Sequence, residues 1–184
     1  MLSYEFFSHF AVSLIYLTII SLFKIGKFNS LDYFSLWLGG LIGTYLLDID
    51  HLIYCLFFRP EKTSAKKFQA LLKEKKYKEA LFSLAETHFE HNELIFHNAV
   101  FIPIWIILSF FILSSSGSIF ASILVMTIYL HLLKDIWDVI RIEKSYNLKF
   151  LFWQIKTPIE EKIKRYYVWG ITLIFILENF LLFG

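Results

Sequence analysis

Phe34-Ser35-Leu36-Trp37-Leu38-Gly39-Gly40-Leu41-Ile42-Gly43-Thr44-Tyr45-Leu46-Leu47 runs directly into Asp48-Ile49-Asp50-His51, and the chain then turns apolar again as far as Phe58. The first part lacks the strict alternation of a barrel strand and reads as helix. Taken together, residues 31–58 exceed the roughly 20 residues a helix needs to cross a hydrocarbon core. Ionisable side chains inside such a helix are costly, so Asp48, Asp50 and His51 mark a site rather than decoration.

Four further stretches repeat the apolar pattern, over about residues 6–23, 94–113, 119–140 and 158–183. The expected fold is all-α, a single polytopic transmembrane bundle of about five helices. Composition agrees: 57% apolar and 20% aromatic residues exceed what a soluble domain of 184 residues carries. No Lys or Arg precedes Phe6–Phe23, and the run is long for a signal-peptide core, so it reads as a retained first helix. A single cysteine, Cys55, excludes an intrachain disulfide and a thiolate zinc cluster. A net charge of +2 gives no footprint for nucleic acid.

Two basic segments, 59–93 and 141–157, separate the apolar ones. In the first, Phe68, Leu71 and Leu72, then Ala80, Leu81, Leu84 and Ala85, fall at helical spacing. That pattern suits amphipathic helices on a membrane surface and equally a solvated helical hairpin. In the second, Thr157-Pro158 followed by Glu160 and Glu161 forms a helix-start signal, so the fifth helix is expected to begin at about residue 158. Trp153, Tyr166, Tyr167 and Trp169 suit an interfacial aromatic belt. Five crossings put both basic segments on one side. There, eight cations from Arg59 to Lys78 and seven from Arg141 to Arg165 stand against Lys24 and Lys27 on the other side. The positive-inside rule makes the basic side cytoplasmic, in a cell (inner) membrane.

On this topology the polar residues gather at one depth. His9 enters the first helix, Asp48, Asp50 and His51 leave the second, His91 and His97 approach and enter the third, and His131 and Asp135 leave the fourth. His131 and Asp135, four apart, share a helix face, as do Asp48 and His51, three apart. On a regular helix Asp50 points elsewhere, to a second ion or through a local distortion. Mixed His and Asp donors suit a divalent ion, Zn²⁺ or Mn²⁺ first. Eight candidates (His9, Asp48, Asp50, His51, His91, His97, His131, Asp135) exceed what one zinc needs, which leaves room for two ions. Glu93 or Glu90 is the expected general base, and Arg59 and Arg141 the expected substrate-holding cations.

The order of these elements resembles the predicted membrane-bound metal-dependent hydrolases known as LexA-regulated inner-membrane hydrolases. The resemblance rests on His9, on Gly39-Gly40 through Asp48-Ile49-Asp50-His51, on His91 with His97, and on His131 through Asp135. Leu47 stands where the family usually has Pro. The central His pair is one residue longer than the family's, so His88 or Glu93 are alternatives to His91. The resemblance implies a metal-dependent hydrolase. A site at headgroup depth makes a phosphoester or a membrane lipid the expected substrate. The other classes weighed are a non-catalytic membrane subunit holding a structural metal and a small transporter. Transport sites usually lie at the midplane, whereas here only Glu178 lies deep in the opposite half.

Overall fold

A computed structural model describes residues 2–87 and 90–183, with side chains for residues 7–87 and 90–182. The described residues are helix and loop, with no strand. In chain order the helices are α1 (Leu2–Phe23), α2 (Ser30–Leu46), α3 (Ile49–Ile53, continued by a π-helical turn Tyr54–Phe58), α4 (Thr63–Lys73), α5 (Tyr77–Glu86), α6 (Phe101–Ser115), α7 (Ile119–Glu143) and α8 (Glu161–Phe183).

Among the described residues, three stretches are long and apolar enough to cross a membrane: Ser30–Phe58, Ile119–Glu143 and Glu161–Leu182. Phe7–Phe23 and Phe101–Ser115 are apolar but shorter. Outward faces carry large apolar side chains such as Leu31, Phe57, Ile107 and Phe180, each more than two-thirds exposed. Water disfavours so much contiguous apolar surface on a lone chain.

Helix α7 is the central strut and packs most extensively on α2. Two glycines one turn apart allow this approach. A Cβ on Gly39 would stand 2.7 Å from the Phe120 carbonyl oxygen, and one on Gly43 would stand 2.8 Å from that of Leu124. Small residues four apart let helix backbones come this close. Across the other side of α7, the Trp105 indole donates to the Val125 carbonyl at 3.1 Å and the Tyr129 hydroxyl to the Ile171 carbonyl at 2.6 Å. These bonds tie α6 and α8 to the strut.

The element from Ser30 to Phe58 is one stretch with two local irregularities. It opens with a reciprocal cap between Asn29 and Asp32. The helix lapses at Leu47 and Asp48, restarts at Ile49 and widens into the π turn. This is the distortion that a regular helix would have needed to bring Asp48 and Asp50 to one site.

Two boundaries depart from the sequence reading. The helix expected from Leu94 starts at Phe101, because residues 91–100 are held as a loop. The Asn98 side-chain oxygen accepts from the amides of Val100 and Phe101, both at 2.9 Å, which caps the helix there. The helix expected from residue 158 starts at Glu161, with Ile159 packed against the main core instead of entering a first turn. The first basic segment forms an antiparallel hairpin of α4 and α5, which buries Ala65, Phe68, Ala80 and Leu84 against Tyr54 and Cys55. Beyond the end of α7, residues 144–160 form no helix, but Leu148, Leu151 and Phe152 are buried in the main core.

Candidate metal centre

Most of the buried ionisable groups meet at the end of the bundle where α2 lapses and α7 nears its last turns. His131 leads. Its Nδ1 lies 2.7 Å from the Thr44 carbonyl oxygen. A carbonyl only accepts, so Nδ1 carries the proton and, in the neutral ring, Nε2 carries the lone pair. The close approach at Gly43 puts that carbonyl within reach.

His97 comes from the loop before α6 and is fixed in the same way. Its Nδ1 lies 3.1 Å from Asp50 Oδ2, and a carboxylate accepts, so its Nε2 also offers a lone pair. Asp50 does more than orient the ring. It accepts from the backbone amides of Ile95 at 3.0 Å, Phe96 at 2.6 Å and His97 at 3.3 Å. A buried carboxylate with four donors is therefore what holds residues 94–98 out of helix.

The two Nε2 atoms stand 3.2 Å apart. Asp135 Oδ2 lies 3.4 Å from that of His97 and 3.3 Å from that of His131. It is buried and receives no hydrogen bond among the described residues. The other carboxylate oxygen, Oδ1, accepts from His9 Nε2 at 2.7 Å, and the His9 ring stacks on His131 with centroids 4.3 Å apart. Donors about 2.0–2.1 Å from a tetrahedral ion stand about 3.3–3.4 Å from one another. The triangle of His97 Nε2, His131 Nε2 and Asp135 Oδ2 has these edges. A buried group of His9, His131 and Asp135 can hold a metal ion, each with a ligand atom within 4.8 Å of the others. Asp48, half-buried at the break in α2, reaches with Oδ1 to 3.6 Å from His131 Nε2.

His51 and His91 pair with each other instead, Nδ1 to Nδ1 at 2.8 Å. That is a hydrogen-bond separation, shorter than the edge of a metal polyhedron. The His91 Nε2 faces Thr87 Oγ1 at 3.4 Å and Cys55 Sγ at 3.6 Å. His51 remains close to the first group, its ring 5.7 Å from that of His97. His88 lies outside the described residues.

A cavity of about 300 Å³ opens on the cluster, lined by His91, His97, Asp135, Asp138, Glu143 and Lys149 among others. Neither acid expected as a base lines it. Glu93 is bound to the Arg59 guanidinium, and Glu90 is exposed. Glu93 and His97, four apart, would share a face on a helix, but the loop at 91–100 removes that face. The Glu93 carboxylate also raises the Arg59 pKa above its ordinary value, through its hydrogen bond and its charge. Arg59 is thus committed to Glu93, and Arg141 Nη2 to Asp138 at 3.0 Å; Asp138 takes Lys134 as well, at 2.7 Å. Lys149, which lines the cavity, was not singled out from sequence because it sits in a loop with no motif.

Comparison of the chain with protein-family models, with curated proteins and with solved structures gives no match.

Proposed function

We propose that this chain is a membrane-embedded, metal-dependent hydrolase, with its site at the cytoplasmic end of about five membrane-crossing helices. The observation that carries this reading is the triangle of His97 Nε2, His131 Nε2 and Asp135 Oδ2, its edges 3.2–3.4 Å, beside an open cavity. Catalytic zinc sites take three protein ligands and keep one position open, whereas structural sites are closed. A cavity lined by two of the three proposed ligands supports the catalytic kind.

In this reading His97, His131 and Asp135 are the ligands, and Asp50, the Thr44 carbonyl and His9 fix their orientation. Loss of such an outer partner typically weakens metal binding or activity about 10–100-fold. A divalent ion held there by His97, His131 and Asp135 would polarise a phosphoryl or carbonyl oxygen and acidify water. Asp48, within reach of the same region and partly open to solvent, is the proposed proton acceptor in place of Glu93 or Glu90. The resemblance to membrane-bound metal-dependent hydrolases supports the same reaction class, as does the position of the site at one end of the apolar spans. The Lys/Arg distribution supports the cytoplasmic orientation.

The test uses the full chain purified in mild detergent. Metal content is measured by elemental analysis, and hydrolysis of phospholipids and simple phosphoesters is followed with and without chelator. Expected results are loss of both metal and turnover in Asp135→Ala, and retained metal with lost turnover in Asp48→Asn. Turnover that survives complete metal removal would overturn the reading. Full metal occupancy with no turnover on any substrate would favour a structural metal, the reading that the near-complete burial of the ligands also allows.

A further inference from the structure

Beside the metal cavity lies a second cavity of about 410 Å³. Asn92 and Lys149 line both, so the two share a wall. The second is lined by three lysines, Lys149, Lys156 and Lys164, and by one acid, Glu93, whose charge is already taken by Arg59. Its lining also carries an apolar set, Phe152, Trp153, Ile155 and Ile159. Cations set among apolar side chains suit an amphiphile with an anionic head.

This groove is built rather than draped. Residues 144–160 form no helix, yet the Ala99 amide donates to the Leu151 carbonyl at 2.7 Å and the Trp153 indole to the Leu94 carbonyl at 2.9 Å. Both bonds join the groove wall to the loop that carries His97. The Lys164 ammonium lies 5.7 Å over the Phe152 ring, which holds its stem against the wall. A ligand in the groove would therefore sit at a fixed offset from the metal cluster. Its level also matters. The groove spans the start of α8 at Glu161, and the exposed aromatics Tyr166 and Trp169 follow Lys164 within the next turns. Aromatics of this kind sit at headgroup depth.

We propose that this groove binds the phosphate of a membrane-lipid headgroup, with Lys149, Lys156 and Lys164 as its cations. It directs the adjoining ester bond toward the His97–His131–Asp135 cluster. As the substrate class of the hydrolase the inference rests on the reading above, whereas headgroup binding stands without it. The lipid is favoured over a free phosphate because a free anion has no use for the apolar side chains.

The experiment is native mass spectrometry of the full chain in neutral detergent, titrated with dioctanoyl phosphatidic acid. Parallel arms use dioctanoyl phosphatidylcholine, sn-glycerol 3-phosphate and inorganic phosphate. Wild type and metal-free Asp135→Ala are expected to bind the anionic lipid alike. Lys149→Gln/Lys156→Gln/Lys164→Gln should bind it about a hundredfold more weakly, since each basic residue near anionic lipid contributes about a factor of five. The pair Lys149→Gln/Lys156→Gln, both at exposed positions, covers the case in which the triple variant fails to fold. A control with Lys73, Lys75 and Lys78 changed to Gln on the α4–α5 hairpin should bind as wild type. Unchanged affinity in the groove variants, or equal loss in the hairpin control, would overturn the site. Inorganic phosphate binding as tightly as the lipid would overturn the lipid assignment. Intact lipid binding without turnover would sink only the hydrolase reading.

Discussion

Gly43→Ala tests whether the helix approach, rather than the ligands alone, builds the metal centre. A Cβ at Gly43 would stand 2.8 Å from the Leu124 carbonyl oxygen and 3.0 Å from Thr127 Cβ, where ordinary contact begins at 3.4 Å. Relief requires α2 and α7 to part by about 0.6 Å, an overpacking that typically costs about 1–3 kcal/mol. The gain in helix propensity from Gly to Ala, about 1 kcal/mol, offsets part of it. The next residue is Thr44, whose carbonyl accepts from His131 Nδ1 at 2.7 Å. The same displacement would stretch that bond to about 3.3 Å, the long end of the hydrogen-bond range, and weaken it. Nε2 is then less firmly fixed as the lone-pair atom. Loss of such an orienting partner weakens metal binding about 10–100-fold, or about 1.4–2.7 kcal/mol. Chelator competition with purified protein reads this directly. Gly39→Ala meets the Phe120 carbonyl at 2.7 Å, one turn further from the site, and should lower the melting temperature with a smaller effect on metal. Gly170→Ala, where a Cβ meets nothing within 4 Å, should change neither. A folded Gly43→Ala protein with wild-type metal affinity would refute the argument, as would equal metal loss in Gly39→Ala.

Asp50→Ala should destabilise the protein by about 3 kcal/mol, because three backbone donors and the His97 ring lose their acceptor together. Hydrogen exchange at Ile95, Phe96 and His97 should rise selectively, and unchanged protection there would contradict the role given to Asp50. Elemental analysis should find about one ion per chain, the single site that three protein ligands make, unaltered in His91→Ala; two ions, one of them lost with His91, would replace the single site with a dinuclear one. Single cysteines at Lys67 and Lys156 in a Cys55→Ser background should resist an impermeant thiol reagent in intact cells. Rapid labelling of both would reverse the orientation while leaving the cluster in place.

The end of the bundle that carries the site was legible because helices convert sequence position into depth. His9, Asp48, His131 and Asp135 each stand near an apolar segment's end, and alternating helix direction brings those ends together. The division of labour among them was not legible, because backbone groups decide it. Nothing in the order of residues announces that the Thr44 carbonyl meets His131, and Asp50 reads as one more ligand until its oxygens are found on the amides of Ile95, Phe96 and His97. The late start of α6 had a readable signal in Asn98 and Pro103: an amide side chain ahead of the helix and a proline in its first turn, where a missing N–H costs nothing. Hydropathy outweighed it, since Leu94, Ile95 and Phe96 are as apolar as the helix that follows. Those three residues are apolar for another reason. Leu94 packs with Tyr54, Cys55 and the α4–α5 hairpin, while Phe96 packs against the main core around α7. The loop bridges two apolar clusters and presents His97 between them, so an apolar sequence here serves a site-bearing loop rather than a membrane span.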